Sequence, residues 1–139
     1  MTENEIGTIC IEAAIGVHRE LGPGLLETVY ETVLAHELTQ RGLKVERQVP
    51  ISISYKGMAF EEAFRADLLV EGKVVIELKS VEEMSRAHRK QIQTYLRLTG
   101  LKLGYLFNFG AALMKEGIVR AVNGLDESQN LCTSARLPK

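Results

Sequence analysis

The sequence predicts a single α+β domain with a mixed central sheet, in the order ααβββαββ. Apolar residues recur at helical intervals from Ile6 to Leu38, whereas the chain from Leu43 to Val122 is dominated by strand-like apolar runs. One helical period, between Ser85 and Thr99, interrupts those runs. A helix is too long a link for a hairpin, so the strands it joins are expected to be parallel while their neighbours run antiparallel. With 139 residues, 45% apolar and 25% charged, the chain suits one core. We place that core at about residues 6–122 and a polar, poorly ordered tail at 123–139, making one domain of 1–139.

Thr2 and Glu5 have the spacing of a capping box, and Ile6, Ile9, Cys10, Ala13, Ala14 and Val17 follow at helical intervals. Gly22-Pro23-Gly24 breaks that helix, and Leu26, Val29, Tyr30, Val33, Leu34 and Leu38 mark a second one stopped near Gly42. On a helical wheel Glu27 falls on the flank of this apolar arc, while Glu31 points further out. Ile51, Ile53 and Tyr55 alternate with serines up to a Lys56-Gly57 turn, which predicts a hairpin whose second strand runs from about Phe60 to Val70. Glu71-Gly72-Lys73 is a tight connection into Val74-Val75-Ile76-Glu77-Leu78-Lys79. A helix from about Ser85 to Thr99, closed by Gly100, leads to an apolar strand over Leu101 to Phe109 and an edge strand over Gly117 to Val122.

The net charge of −1 gives no global attraction to nucleic acid or to an anionic membrane. A local patch is present: between Met84 and Lys115 there is no Asp or Glu, yet Arg86, Arg89, Lys90, Arg97, Lys102 and Lys115 occur. No apolar run approaches the ~20 residues of a membrane helix. The acidic start of the chain and two distant cysteines, Cys10 and Cys132, predict a reduced cytoplasmic protein without a signal peptide or structural zinc.

The strand Val74 to Lys79 carries the chemistry. Alternation puts Val74, Ile76 and Leu78 on one face and Val75, Glu77 and Lys79 on the other, so two opposite charges share a face that ought to be dry. Asp67 lies one hairpin away. Carboxylates at the ends of adjacent strands hold a hard cation such as Mg²⁺, and a flanking lysine orients or deprotonates an attacking water. Glu27 could reach this cavity from the second helix. Gln91 and Tyr95, one helical turn apart, could reach it from the third. Each has a plainer explanation: a buried Glu77–Lys79 ion pair, a strand-ending Asp67, a paired helix acid at Glu27, and packed core residues at Gln91 and Tyr95. For the Arg86, Arg89, Lys90 and Arg97 face the plain alternative is a solvated surface, and for His88 it is a cap contact.

Asp67, Glu77-Leu78-Lys79 and Gln91-xxx-Tyr95 resemble the ordered motifs of the PD-(D/E)xK nuclease superfamily, especially its RecB-like branch. Gly24-Leu-Leu-Glu27-Thr-Val-Tyr30, Phe64-Arg65-Ala66-Asp67 and Asn108-Phe109-Gly110 are similar to its small GxxExxY proteins. The resemblance implies a restriction-endonuclease-like αβββαβ core with an extra N-terminal helix. It also implies Mg²⁺ or Mn²⁺ at Asp67, Glu77 and the Leu78 carbonyl, Lys79 as the water-activating group, and Glu27 as the acid from the first core helix. The function expected is metal-dependent hydrolysis of nucleic acid, DNA rather than RNA, with Arg86, Arg89, Lys90 and Arg97 as its track. The alternative is an inactive nuclease-fold module that binds nucleic acid or a protein; a homodimer stays open.

Overall fold

The computed structural model describes residues 1–126. Helix α1 (Glu3–Leu21) opens on the predicted capping box, with the Glu5 amide donating to Thr2 Oγ1 at 3.2 Å and the Thr2 amide donating to Glu5 Oε1 at 2.8 Å. Helix α2 (Glu27–Gln40) follows, then strands β1 (Val45–Tyr55), β2 (Met58–Val70) and β3 (Val74–Lys79). Helix α3 (Arg86–Thr99) links β3 to β4 (Leu103–Asn108), and a 3₁₀ turn (Met114–Gly117) precedes β5 (Ile118–Val122). The strands lie in the order β1-β2-β3-β4-β5, antiparallel except for the parallel β3–β4 pair, as the long helical link requires. This is the α+β sandwich read from the sequence. Cys132 and most of the expected tail lie outside the described residues.

The two faces of β3 go to two cores. Val74, Ile76 and Leu78 pack with Leu68, Tyr105 and Phe107 against α1 and α2. Val75 packs with Ala66, Ile92, Leu96 and Ala121 against α3, flanked by Val49, Ile51, Phe64 and Tyr95. Fully burying an Ile or Leu of this kind contributes ~1.5–3 kcal/mol, so one slip of register in β3 would forfeit both layers. Gly104 on β4 lets α3 come close, because a Cβ there would press on Val75, Ile92 and Leu96. Cys10 is fully buried in the first core, and burial pushes its thiol up to about 12. Among the described residues no helix is long and apolar enough to cross a membrane.

The hairpin is longer than its local pattern. β1 begins at Val45, six residues before the alternation becomes legible at Ile51, and a register shift lies between Ile51 and Ile53. Only Leu68, Leu69 and Val70 of β2 pair with β3; the rest of β2 pairs with β1 alone as an arm. Phe64 anchors that arm by stacking on Tyr95 of α3 at a ring separation of 3.7 Å.

Candidate active site

The site forms where the β2–β3 ladder stops. The last pair is Leu68 with Ile76, and one residue further the carboxylates take over from the backbone. The Leu78 amide donates to Asp67 Oδ2 at 2.9 Å, and the Asp67 amide donates to Glu77 Oε1 at 3.3 Å. Glu77 is 7% exposed on the face that α3 covers. Burial pushes its carboxyl up to about 8, with the negative charge of Asp67 and a side-chain hydrogen bond to it acting in the same direction. The Asp67 amide and the Lys79 charge oppose that rise without cancelling it. Tyr95 belongs to the same cluster: burial first, then the charges of Glu77 and Asp67, raise its hydroxyl to about 12, against a hydrogen bond with Gln91.

Asp67, Glu77, Lys79, Tyr95 and Gln91 are therefore brought together from β2, β3 and α3. Leu78 sends its side chain into the α1–α2 core while its backbone stays at the site. Glu27 is placed differently. It starts α2 and is exposed, lining a hollow of about 410 Å³ with Gly24, Leu26, Ser80, Val81 and Gly110, at the end of β3 beyond Lys79. Among the described residues no three His, Cys, Asp or Glu side chains gather into a metal-holding group. Two carboxylates meet here, and not a cage of three acids. Hard oxygen donors, one of them a carboxyl whose ionisation burial and the Asp67 charge oppose, fit a divalent cation.

The wheel also ordered the two acids of α2 wrongly. Glu31, expected to point outward, is 7% exposed, because α2 packs against β1 as well as the apolar core. Arg47 Nε donates to Glu31 Oε2 at 3.1 Å, and Gln48 Nε2 donates to Glu31 Oε1 at 2.6 Å. Gln48 Nε2 also reaches Asp67 Oδ1 at 3.1 Å. The sequence reading missed Gln48; two polar residues, Arg47 and Gln48, where a strand should alternate were the available signal.

The loop before α2 is pinned from two sides. The Tyr30 hydroxyl donates to the Gly22 carbonyl at 2.5 Å and accepts from the Leu25 amide at 3.1 Å, with its ring stacked on Phe109. Ser80 Oγ donates to the Leu25 carbonyl at 2.6 Å. Gly24, at φ 99°, makes the turn that Tyr30 pins. Asn108, opposite Lys79 in the β3–β4 register, is 3% exposed. Its Oδ1 accepts from the Val81 and Gly110 amides at 3.0 Å each, and its Nδ2 donates to the Val81 carbonyl at 2.9 Å. Gly110 must be glycine for that approach, since a Cβ would collide with the Val81 backbone.

The mixed five-stranded sheet with its helices is consistent with one family description. A model described as the PD-(D/E)XK nuclease superfamily matches residues 4–121. The chain belongs to the PD-(D/E)XK nuclease superfamily. Among solved structures it is similar to the protein SSO0001, known from a crystal structure, at 20% identity and a TM-score of 0.41, over 97% of this chain and 75% of that one. No curated protein matches it. Members of this superfamily are generally nucleases.

The basic set of this PD-(D/E)XK chain lies elsewhere on α3. At 100° per residue, Gln91 and Tyr95 flank one side of the buried Ile92–Leu96 line, and Arg86, Arg89, Lys90 and Arg97 flank the other. Gln93, on that second side, donates to the Val122 carbonyl of β5 at 2.9 Å. All four basic residues are exposed, and Arg89 shares a hollow with Glu82, Glu83 and Glu116. His88 is the N3 residue of a capping box with Ser85, which accounts for a polar residue there.

Proposed function

We propose that this chain hydrolyses phosphodiester bonds in nucleic acid with water as the nucleophile and a divalent cation as cofactor. The observation that supports this best is the meeting of Asp67 and Glu77 beyond the last β2–β3 pair, with the charge of Lys79 acting on the same carboxyl. Asp67, Glu77 and the Leu78 carbonyl would hold Mg²⁺ or Mn²⁺. The ion, when bound, acidifies its water and neutralises charge on a phosphoryl oxygen.

Lys79 orients the attacking water or takes its proton, and its ammonium then stabilises negative charge on the phosphoryl group. Tyr95 is a donor here, since a hydroxyl raised to about 12 keeps its proton at neutral pH. With Gln91 fixing its direction, it hydrogen-bonds a phosphate oxygen. Glu27 is the acid at the far rim, next to Ser80, where it would meet solvent or a second cation. Within the superfamily we assign the chain to the GxxExxY group, on Gly24 of the loop before α2 and on Glu27 and Tyr30 of that helix. We further propose that Arg86, Arg89, Lys90 and Arg97 attract the substrate backbone from the outer side of α3, DNA in preference to RNA.

Incubating single-stranded, duplex and branched DNA and RNA with the protein and Mg²⁺ or Mn²⁺ tests the proposal. Cleavage by wild type that is lost in Glu77→Ala and Lys79→Ala supports it. Binding without cleavage under every condition would replace it with a nuclease-fold binding module, and the salt dependence of that binding would tell a phosphate track from a protein surface.

A further inference from the structure

The backbone ladders on both sides of Asp67 lapse at one level. Arg47 pairs with Leu68 and Val49 with Ala66, which sets Gln48 opposite Asp67, and the β2–β3 pairing ends at Leu68. Gln48 has φ 50°. Among the described residues the other non-glycine positions with positive φ are Lys56 and Glu71, at the two turns that bound β2. A left-handed residue inside a strand is disfavoured for any side chain with a Cβ and persists only where its surroundings hold it. Here the carboxamide nitrogen is shared by two acids: Nε2 donates to Glu31 Oε1 at 2.6 Å and to Asp67 Oδ1 at 3.1 Å.

We propose that Gln48 is a positioning residue, which carries the anchorage of Glu31 to Asp67 and fixes how Asp67 presents its carboxylate to a divalent cation beside Glu77. The proposal rests on the reading of Asp67 and Glu77 as metal ligands. A neutral amide suits the role, because it orients an anion without neutralising it, whereas an Arg or Lys there would compete with the cation. Tying α2 to β1 does not require Gln48. Arg47 already does that, reaching Glu31 at 3.1 Å and Thr32 Oγ1 at 2.9 Å. The Leu78 amide holds the second oxygen of Asp67, so both of its oxygens are directed.

The test is titration calorimetry of the whole, metal-free chain with Mn²⁺ and separately with Ca²⁺, on wild type and Gln48→Gly. Glycine accepts the positive φ, so the variant deletes the carboxamide without straining the backbone. We expect Mn²⁺ affinity to fall 10-fold or more. Ca²⁺ affinity should fall less, since Ca²⁺ tolerates irregular oxygen sets, so the Mn²⁺/Ca²⁺ affinity ratio drops several-fold. A merely structural loss would lower the folded fraction and leave that ratio unchanged. If Gln48→Gly does not fold, Gln48→Asn replaces it: it tolerates the backbone but is too short to span Glu31 and Asp67, and the same fall is expected. An unchanged ratio in a folded variant overturns the role of Gln48 while leaving the metal site standing. No Mn²⁺ binding by wild type overturns both.

Discussion

Asp67 accepts the Leu78 amide at 2.9 Å, so a side-chain carboxylate on β2 takes the place of a backbone carbonyl where the strands part. The bond makes Asp67 structural and chemical at once, and two substitutions separate the roles. Asp67→Asn keeps an acceptor for Leu78 but turns its amide nitrogen toward Gln48 Nε2, so it should lose less stability than Asp67→Ala without matching wild type. Asp67→Ala leaves that partly buried amide unpaired and should cost ~1–3 kcal/mol. Both should lose Mn²⁺ binding in calorimetry. Equal melting of the two variants would show that the amide bond contributes nothing.

Glu77 makes stability depend on pH with an unusual sign. Its carboxyl is pushed up to about 8 in the fold, against 4.5 for a free glutamate side chain. Between those values the unfolded chain ionises while the fold keeps the proton, so raising pH favours unfolding across that window. The shift corresponds to at most on the order of 5 kcal/mol, a large share of a small domain's stability. Metal-free protein should therefore be most stable near pH 5 and lose stability until about pH 8. Glu77→Gln should flatten that loss and melt higher than wild type at pH 8. Thermal melts in chelator across this range check it, and a wild-type profile parallel to that of Glu77→Gln would sink it. Mg²⁺ should restore wild type at pH 8 but not at pH 5, where protons compete for the carboxylate.

Tyr30 governs the loop that leads into Glu27 at the start of α2. Tyr30→Phe keeps the stack on Phe109 but removes a hydroxyl bonded to the Gly22 carbonyl and the Leu25 amide. We expect a loss of ~1–3 kcal/mol in denaturant melts and faster hydrogen exchange at Leu25 than at amides of β3. Uniformly faster exchange would mean global destabilisation in place of a released loop.

These outcomes also mark what the sequence could reveal. The two faces of β3 and the meeting of Asp67 with Glu77 follow from alternation and a short turn, which are local, and the parallel β3–β4 pair follows from the long helical link between the strands. The burial of Glu31 was not legible, because a wheel sees only the apolar arc of α2 and not the polar side of β1 that covers it. Gln48 was hidden by a longer chain of dependence. Its place opposite Asp67 rests on a hairpin register that shifts between Ile51 and Ile53, and its bond rests on a left-handed backbone that no residue pattern announces. Asn108 stood in a motif, yet its partner Val81 lies across a helix in sequence, so its task became visible only in the fold.

That task gives the last prediction. Asn108 holds the segment after Lys79 by pairing with both the amide and the carbonyl of Val81, as a neighbouring strand would. The Phe109 amide adds a bond to the Lys79 carbonyl at 2.8 Å. Asn108→Asp keeps the acceptor but loses the donor, leaves the Val81 carbonyl without it, and places an acid opposite Lys79 in the register. Asp67 and Glu77 depend on β2 and β3 and should keep their affinity for Mn²⁺. Lys79 should be drawn away from the attacking water, so cleavage should fall 10-fold or more while metal binding changes less than about 3-fold, a gap of over 0.7 kcal/mol between the two readouts. Parallel losses in both would mean that Asn108 supports the whole sheet end and not Lys79 in particular.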